Sequence, residues 1–189
     1  LNKKHFLVMK RIFFVYVLYL LIASTKIYAE EISTDVGTLT SGKNMNEDLT
    51  VTSTGVITCD ADGCVNLKQP GLTVTNSGTI KTIGTNQNNT IVSSKDDSTV
   101  LNYGTISNSS SNAAIRFNDL SDSDGDGVSG YIYNSGTIET TSAAYTIRIP
   151  DGSYYKIDNY GNITNSHANG QTIYITDTEN VVINNYSSG

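Results

Sequence analysis

A short phrase that recurs along the chain constrains its fold more than any other feature of the sequence. In each copy an apolar residue, Asn, Gly and Ile follow one another at every second position, with polar residues between most of them. The copies are Val51-x-Ser53-x-Gly55-x-Ile57, which has Ser in place of Asn, Val74-x-Asn76-x-Gly78-x-Ile80, Val100-x-Asn102-x-Gly104-x-Ile106, Ile132-x-Asn134-x-Gly136-x-Ile138, Ile157-x-Asn159-x-Gly161-x-Ile163 and an unfinished Ile183-x-Asn185. Their Asn or Ser positions advance by 23, 26, 32, 25 and 26 residues. Such a period is typical of a solenoid in which each repeat forms one coil.

Each period contains about three short stretches with the residue pattern of β-strands. Apolar residues of the phrase are separated by even numbers of positions, so they share one face of an extended chain. A second apolar segment follows, for example Ile115-x-Phe117 and Ile147-x-Ile149, and Ser, Asn, Asp and Gly fill the turns. An antiparallel sandwich also has short strands at such intervals. Its successive strands occupy different environments, however, and have no reason to repeat one phrase.

The repeats therefore predict an all-β fold, a right-handed parallel β-helix of about five to six coils with about 25 residues per coil. We assign residues 50–189 to this domain and residues 30–49 to an N-terminal cap or linker. Equivalent strands of successive coils would pair, so identical residues should form ladders. We expect one inner ladder of amide side chains, formed by Asn76, Asn102, Asn134, Asn159 and Asn185.

Residues 1–29 have the three parts of a secretory signal peptide. A basic pair follows Met9, an apolar run covers residues 12–23, and cleavage is expected after Ala29. The run is too short for a membrane-spanning helix, which needs about 20 apolar residues. Met9 is an alternative start of the protein, and residues 1–29 are expected to form a helix that is removed on export.

Removal of this segment would leave a strongly acidic chain. Five of the 12 basic residues lie in it and all 18 acidic residues follow it, so the mature chain would carry a net charge of −11. A negative field of this size repels nucleic acid and anionic membrane surfaces. We therefore expect a soluble exported protein with no nucleic-acid partner.

Cys59 and Cys64, the only two cysteines, are five positions apart. In an oxidising compartment this spacing suits a small disulfide loop, since Asp62-Gly63 between them favours a turn. We predict a local disulfide rather than a metal pair or free thiols.

The phrases Val74–Ile80, Leu101–Ile106 and Tyr133–Ile138, behind a secretory signal, resemble the passenger β-helix of bacterial autotransporters and related surface adhesins. The resemblance covers about residues 50–189. It implies a protein of a Gram-negative bacterium that is located at the cell surface or outer membrane, or released from it. Passengers of this family include adhesins, proteases, lipases and toxins on one scaffold, so the resemblance says more about fold than about activity.

Autotransporters anchor their passenger through a C-terminal membrane β-barrel, and no part of this chain resembles one. The sequence ends partway through a repeat, with Ser187 where Gly is expected. We therefore expect a truncated or split passenger that would contact a membrane only through a missing barrel.

The one long period contains about seven extra residues between Asn118 and Ser129. Within them Asp122, Asp124 and Asp126 alternate with small residues, and this opening resembles the calcium loop of an EF-hand. The EF-hand pattern fails at its twelfth position, where Tyr133 stands instead of Glu. Calcium is the one cofactor that the sequence suggests, and a solvated acidic turn is the alternative.

Two further sets of residues are candidates for ligand binding. Arg116 and Arg148 occupy equivalent positions of adjacent coils and should point outward, where they would attract Asp119 and Asp151 or an acidic ligand. Tyr131 and Tyr133 also lie on the outward face and could contact a sugar or a protein, although ordinary strand packing explains them equally well.

These features predict a non-enzymatic function, namely adhesion or a structural stalk that binds a host-surface protein or a glycan. The alternative is a carbohydrate-active β-helix enzyme of the polysaccharide lyase or hydrolase type. Such an enzyme needs convergent catalytic groups, for example two carboxylates within about 10 Å. The only histidine after residue 29 is His167, which lies in a loop with no nucleophile motif nearby, and we expect no catalytic residue.

Overall fold

A computed structural model describes residues 29–118 and 130–186 of the chain, and this part consists of strands and their connections. Residues 1–28 of the predicted signal peptide and the predicted calcium ligands lie outside the described residues. Among the described residues no helix has the length and apolar character needed to cross a bilayer. The strands are β1 (Glu30–Ile32), β2 (Asp35–Leu39), β3 (Lys43–Met45), β4 (Leu49–Val51), β5 (Val56–Cys59), β6 (Val65–Leu67), β7 (Thr73–Asn76), β8 (Thr79–Thr82), β9 (Ile91–Ser93), β10 (Ser98–Asn102), β11 (Thr105–Asn108), β12 (Ile115–Phe117), β13 (Gly130–Asn134), β14 (Thr137–Thr140), β15 (Tyr145–Ile149), β16 (Gly152–Ser153), β17 (Tyr155–Asn159), β18 (Asn162–Asn165), β19 (Gln171–Ile175), β20 (Thr178–Glu179) and β21 (Val182–Asn185).

The strands form three long parallel sheets, each with one strand per coil. The first sheet has the order β1-β4-β7-β10-β13-β17-β21, the second β2-β5-β8-β11-β14-β18, and the third β3-β6-β9-β12-β15-β19. A two-strand pair, β16 and β20, adds to the corner before the first sheet. The chain is therefore a parallel β-solenoid, as the repeats predict, and an antiparallel sandwich is excluded. Its right-handed winding stays a prediction.

The register places equivalent residues of the repeats directly beside one another. Asn102, for example, pairs with Asn76 on one side and with Asn134 on the other. The same register brings the apolar positions into inward-facing columns in all three sheets. The fully buried members are Leu49, Val74, Val100, Ile132 and Ile157 in the first sheet, Ile57, Ile80, Ile106 and Ile138 in the second, and Val65, Ile91, Ile115 and Ile147 in the third. Columns of β-branched side chains thus fill the interior.

The glycines of the phrase are required by close approach between coils. A Cβ on Gly136 would overlap the carbonyl oxygen of Gly104, and one on Gly104 would overlap that of Gly78. None of these three glycines has a positive φ. The repeat therefore needs Gly for space, not for backbone conformation.

The first coil begins earlier than the sequence predicts. Residues 30–49, expected to form a cap or linker, contain β1, β2 and β3, which pair in parallel with the strands of the next coil. Ile32 and Met45 provide the buried residues of this coil. The repeat phrase is absent from it, so the motif could not reveal it.

The first copy of the phrase, which has Ser53 in place of Asn, is out of register with the later copies. Val51, not Ser53, is the residue that pairs with Asn76. Two extra residues lie between Val51 and Val56 compared with the later coils, and Ser53 is exposed among them. In the coil before Asn76 the equivalent position is thus the apolar residue Val51, and the amide ladder begins at Asn76.

Candidate functional site

The five repeat asparagines form one continuous hydrogen-bonded ladder. Nδ2 of Asn76 donates to Oδ1 of Asn102, and the same bond links Asn102 to Asn134, Asn134 to Asn159 and Asn159 to Asn185, at 2.8, 2.7, 2.7 and 2.7 Å. The first three side chains are fully buried, and Asn185 is exposed. The ladder has the order that the sequence predicts.

The ladder also satisfies backbone carbonyls at its corner. Nδ2 of Asn134 donates to the carbonyl oxygens of Gly136 in its own coil, at 3.3 Å, and of Asn162 in the next coil, at 3.2 Å. Asn102 makes the equivalent bonds to Gly104 and Thr137. Oδ1 of Asn76, above Val51, is buried with no hydrogen-bond partner among the described residues. Since buried polar groups cost free energy unless they are paired, the hydrogen bonds of the ladder stabilise the solenoid.

Cys59 and Cys64 are joined in a disulfide, with their Cα atoms 5.4 Å apart. Both are fully buried, at the end of β5 and just before β6. The bond therefore fixes the corner between the second and third sheets in one coil.

Four tyrosines form a stripe along the outside of the first sheet, and we call them the tyrosine stripe. The ring centroids of Tyr103 and Tyr133 are 5.5 Å apart, those of Tyr133 and Tyr160 5.5 Å, and those of Tyr160 and Tyr186 4.2 Å. Tyr103, Tyr160 and Tyr186 are 49%, 43% and 42% exposed. The hydrogen bond with Tyr186 raises the pKa of Tyr160. The stripe is a continuous aromatic surface over four coils.

The stripe is continuous because two different positions of the repeat supply its rings. Tyr103, Tyr160 and Tyr186 follow the ladder Asn, whereas Tyr133 precedes it. In the coil of Tyr133 the position after Asn134 is Ser135, which is small. Tyr133 is thus in contact with the rings of the coils on both sides.

A carboxylate beside the stripe organises a polar network. Asp158 accepts a hydrogen bond from the Tyr131 hydroxyl at 2.9 Å and one from Nδ2 of Asn184 at 2.8 Å, and it pairs with Nζ of Lys156 at 2.7 Å. Lys156 lies over the Tyr131 ring, 5.4 Å from its centroid. Lys156, then Asn184, lower the pKa of Asp158 through these bonds. Burial, followed by the hydrogen bond to Asp158, raises the pKa of Tyr131 to about 12.

An open cleft of about 290 Å³ lies beside this network on the first sheet. It is lined by Asp97, Ser98, Thr99, Gly130, Tyr131, Tyr154 and Lys156. Asp97 and Tyr154 have φ values of 59° and 63°, which residues other than glycine rarely adopt, and the Tyr154 side chain is largely exposed. Together the stripe, the network and the cleft form the candidate site.

Arg116 and Arg148 lie elsewhere, on the third sheet. They are neighbours in the register of β12 and β15, as predicted, and both are half-buried. The structure therefore separates them from Tyr131 and Tyr133, which lie on the first sheet. Of their predicted partners, Asp119 is outside the described residues, and Asp151 acts on Arg116 by charge alone, since no ion pair joins them.

The predicted calcium ligands Asp122, Asp124 and Asp126 lie outside the described residues, and calcium binding there stays a prediction. In residues 29–118 and 130–186 no group of three or more His, Cys, Asp or Glu side chains could hold a metal ion. His167 is exposed, and its Nδ1 accepts a hydrogen bond from the backbone N–H of Asn169.

Sequence reasoning named Tyr131 and Tyr133 as ligand-binding candidates but missed Asp158, Lys156 and Tyr154. A signal was present, because Lys156 and Asp158 occupy the same outward positions as Tyr131 and Tyr133 one coil earlier. Reading the repeats as columns would have brought these four residues together. Tyr154 has no equivalent in the repeat and could not be found in this way.

Comparison with known proteins gives no match. No family model, no curated protein and no solved structure resembles this chain closely enough to count as a relative, so its function is argued from the geometry above.

Proposed function

We propose that this chain is an exported, non-catalytic β-solenoid scaffold that binds a partner through the first sheet, as an adhesin-like protein at the cell surface or after release. The observation that carries the proposal is the tyrosine stripe. Tyrosine gives a large contact area with little loss of side-chain entropy, and contiguous exposed aromatic surface is typical of interaction sites.

The arrangement of the rings favours a protein partner over a glycan. The rings of Tyr160 and Tyr186 are nearly parallel, at 5°, with centroids 4.2 Å apart, so each turns one face to the other. Tyr133 has ring neighbours on both sides. A sugar stacks on a free ring face, whereas a protein side chain can use ring edges and hydroxyl groups. The flanking Lys156–Asp158 pair would add a charged rim.

Three features support export. The buried disulfide between Cys59 and Cys64 is of the kind that persists in oxidising compartments. The sequence pattern of residues 1–29 supports the same location, as does the acidic charge of the rest of the chain.

The proposal is tested by replacing two rings with the residue that other coils carry at the same position. Tyr103→Ser together with Tyr160→Ser copies Ser77 and Ser135 of neighbouring repeats, so we expect the solenoid to fold normally. The purified protein, residues 30–189, is incubated with cultured host cells, and the bound fraction is measured. We expect at least a tenfold loss of binding in the double variant, as for central aromatic residues of an interface.

Ile83→Ser, which removes an exposed apolar side chain that follows β8 of the second sheet, is the matched control and should bind like the wild type. Protease treatment of the cells should abolish binding, and glycosidase treatment should not. Equal binding by the wild type and the double variant would contradict the proposal. Turnover of a polysaccharide by the wild type would favour the enzymatic alternative instead.

A further inference from the structure

The outer surface of the third sheet carries two adjacent arginines in one column. The register of this sheet places Val92, Arg116, Arg148 and Tyr174 side by side on successive strands. Paired strands are about 4.8 Å apart, so the two arginines are next-neighbour cations. Like charges directly opposite each other on a sheet destabilise it, and such a pair therefore needs a compensating anion.

The described residues supply little compensation. The ion pairs among them are Lys43–Glu30 and Lys156–Asp158, and neither includes an arginine. Asp62 and Asp151 act on Arg116 only through their charge. Oδ1 of Asp62 already accepts hydrogen bonds from the backbone N–H and Nδ2 of Asn89, at 2.9 and 2.8 Å. Burial and the charge of Arg148 lower the pKa of Arg116, as expected for a cation with too little compensation.

Both guanidinium groups are nevertheless held in place. Arg116 donates from Nη2 to Oδ1 of Asn118 at 3.0 Å, and Arg148 lies over the Tyr145 ring, 5.3 Å from its centroid. Tyr145 in turn contacts Tyr174, with ring centroids 4.5 Å apart. The Nε atom of each arginine is buried and has no hydrogen-bond partner among the described residues. The half-buried side chains are therefore positioned in advance, with hydrogen-bonding capacity unused.

We propose that Arg116 and Arg148 form an oxyanion-binding site on the third sheet, which takes a sulfate, phosphate or carboxylate group. A single oxyanion between the two guanidinium groups would accept charge-assisted hydrogen bonds from both and remove their repulsion. Tyr174, next in the column, would border the rest of the ligand. The shared chemistry is the oxyanion, whether it is a free inorganic ion or the acidic substituent of a saccharide. This site is on a different sheet from the tyrosine stripe and does not depend on the proposed function.

The test follows the arginine Nε–Hε resonances of the isotope-labelled protein, residues 30–189, by NMR. Sodium sulfate replaces sodium chloride at constant ionic strength, because exposed charges are screened by salt. We expect saturable shifts of the Arg116 and Arg148 resonances together, and a rise in the unfolding midpoint that follows the same titration.

A sulfated disaccharide and its unsulfated counterpart are then compared. Tighter binding of the sulfated sugar than of inorganic sulfate would identify a saccharide as the source of the oxyanion, and the reverse would identify the free ion.

Two variants and one control complete the experiment. Arg116→Gln should abolish the saturable response of Arg148, and Arg148→Lys, which keeps the charge but loses the planar fork, should weaken sulfate binding about tenfold. Lys81→Gln removes a cation from the second sheet, outside both proposed sites, and should leave sulfate binding unchanged. Unaltered backbone amide spectra establish that each variant is folded. Shifts that never saturate, that occur equally in chloride, or that persist in Arg116→Gln would overturn the proposal.

Discussion

A single asparagine of the ladder performs several tasks that no apolar residue could perform. Asn134 accepts from Asn102, donates to Asn159, and donates to two backbone carbonyls of the corner, while being fully buried. The side chain thus replaces hydrogen bonds that water would otherwise make. Its energetic importance depends on burial, and burial falls toward Asn185.

Asn134→Ala should therefore be much more costly than the same change at the exposed end of the ladder. The variant leaves the carbonyls of Gly136 and Asn162 without this donor, and we expect a loss of about 3 kcal/mol in the free energy of unfolding. Asn185→Ala, which removes the same chemical group where water can replace it, should cost less than about 1 kcal/mol. Urea unfolding of both variants measures the difference. Equal costs would mean that the ladder is not a buried network.

The Tyr131 hydroxyl gives the first sheet a pH dependence whose sign follows from its raised pKa. The folded pKa is about 12, against about 10 for an unfolded tyrosine. Because the folded value is the higher one, the stabilisation is fully present below pH about 10 and is lost as the pH rises toward about 12.

The matched comparison for this prediction is Tyr131→Phe, which lacks only the hydroxyl. We expect the wild type to be more stable by about 1 kcal/mol up to pH about 10, with the difference shrinking above that value. Lys156 and Tyr160, whose pKa values are also raised, titrate in both proteins and largely cancel. The measurement is urea unfolding at a series of pH values. A difference that stays constant to pH 12, or grows, would contradict the assignment.

At the scale of the coil, the repeat phrase records which positions meet their equivalents in the neighbouring coils. Asn needs a partner above and below, Gly needs to admit a carbonyl oxygen, and Ile fills the interior. The Gly and Asn requirements come from contacts between coils rather than within them. The phrase therefore recurs in the coils that stack in one register, from Asn76 onward, and it fails at Val51, where two residues are inserted.

Gly136→Ala tests this requirement for space. The added Cβ would overlap the carbonyl oxygen of Gly104 and lie close to the backbone of Tyr103, and backbone atoms cannot move aside without separating the coils. We expect a loss of at least about 3 kcal/mol in the free energy of unfolding, or failure to fold.

Gly71→Ala is the control, because Gly71 has a φ of 73° with nothing within 4 Å of an added Cβ. It should cost about 1 kcal/mol, from backbone strain alone. Urea unfolding measures the stability lost in each variant. A larger loss in Gly71→Ala than in Gly136→Ala would exclude close packing between coils as the reason for the repeated glycine.

The same reasoning explains how far the sequence could predict the structure. Inward positions repeat because every coil has the same interior, so the architecture, the Asn ladder and the apolar columns were all predictable from spacing. Outward positions meet solvent or a partner and need not repeat. The Asp158 network depends on which side chains happen to be neighbours in three coils, and the first coil lacks the phrase altogether. Neither follows from the motif.

At the scale of the whole molecule, one regular interior supports outer surfaces of different chemistry on the first and third sheets. The first sheet changes along its length from threonines, at Thr50, Thr73 and Thr75, to the tyrosine stripe and its charged network. The third sheet carries the arginine pair. The buried columns and the ladder that stabilise the fold are thus separate from the exposed rings proposed to bind a partner, so the proposed binding variants should leave the fold intact.

Export is the prediction that concerns the whole chain. Expressed from its full sequence in a Gram-negative bacterium, the protein should be recovered outside the cytoplasm with Glu30 as its first residue, because cleavage is expected after the small residue Ala29. In that fraction Cys59 and Cys64 should resist thiol labelling unless a reductant is added under unfolding conditions, since the compartment is oxidising and the disulfide is buried. Mass spectrometry of the labelled protein measures both the first residue and the number of labelled thiols.

Ala29→Leu is the control and should reduce cleavage of the signal peptide, because a bulky residue does not fit the cleavage site. A cytoplasmic protein that keeps residues 1–29 and carries two reactive thiols would contradict export, while leaving the solenoid and its surfaces unaffected.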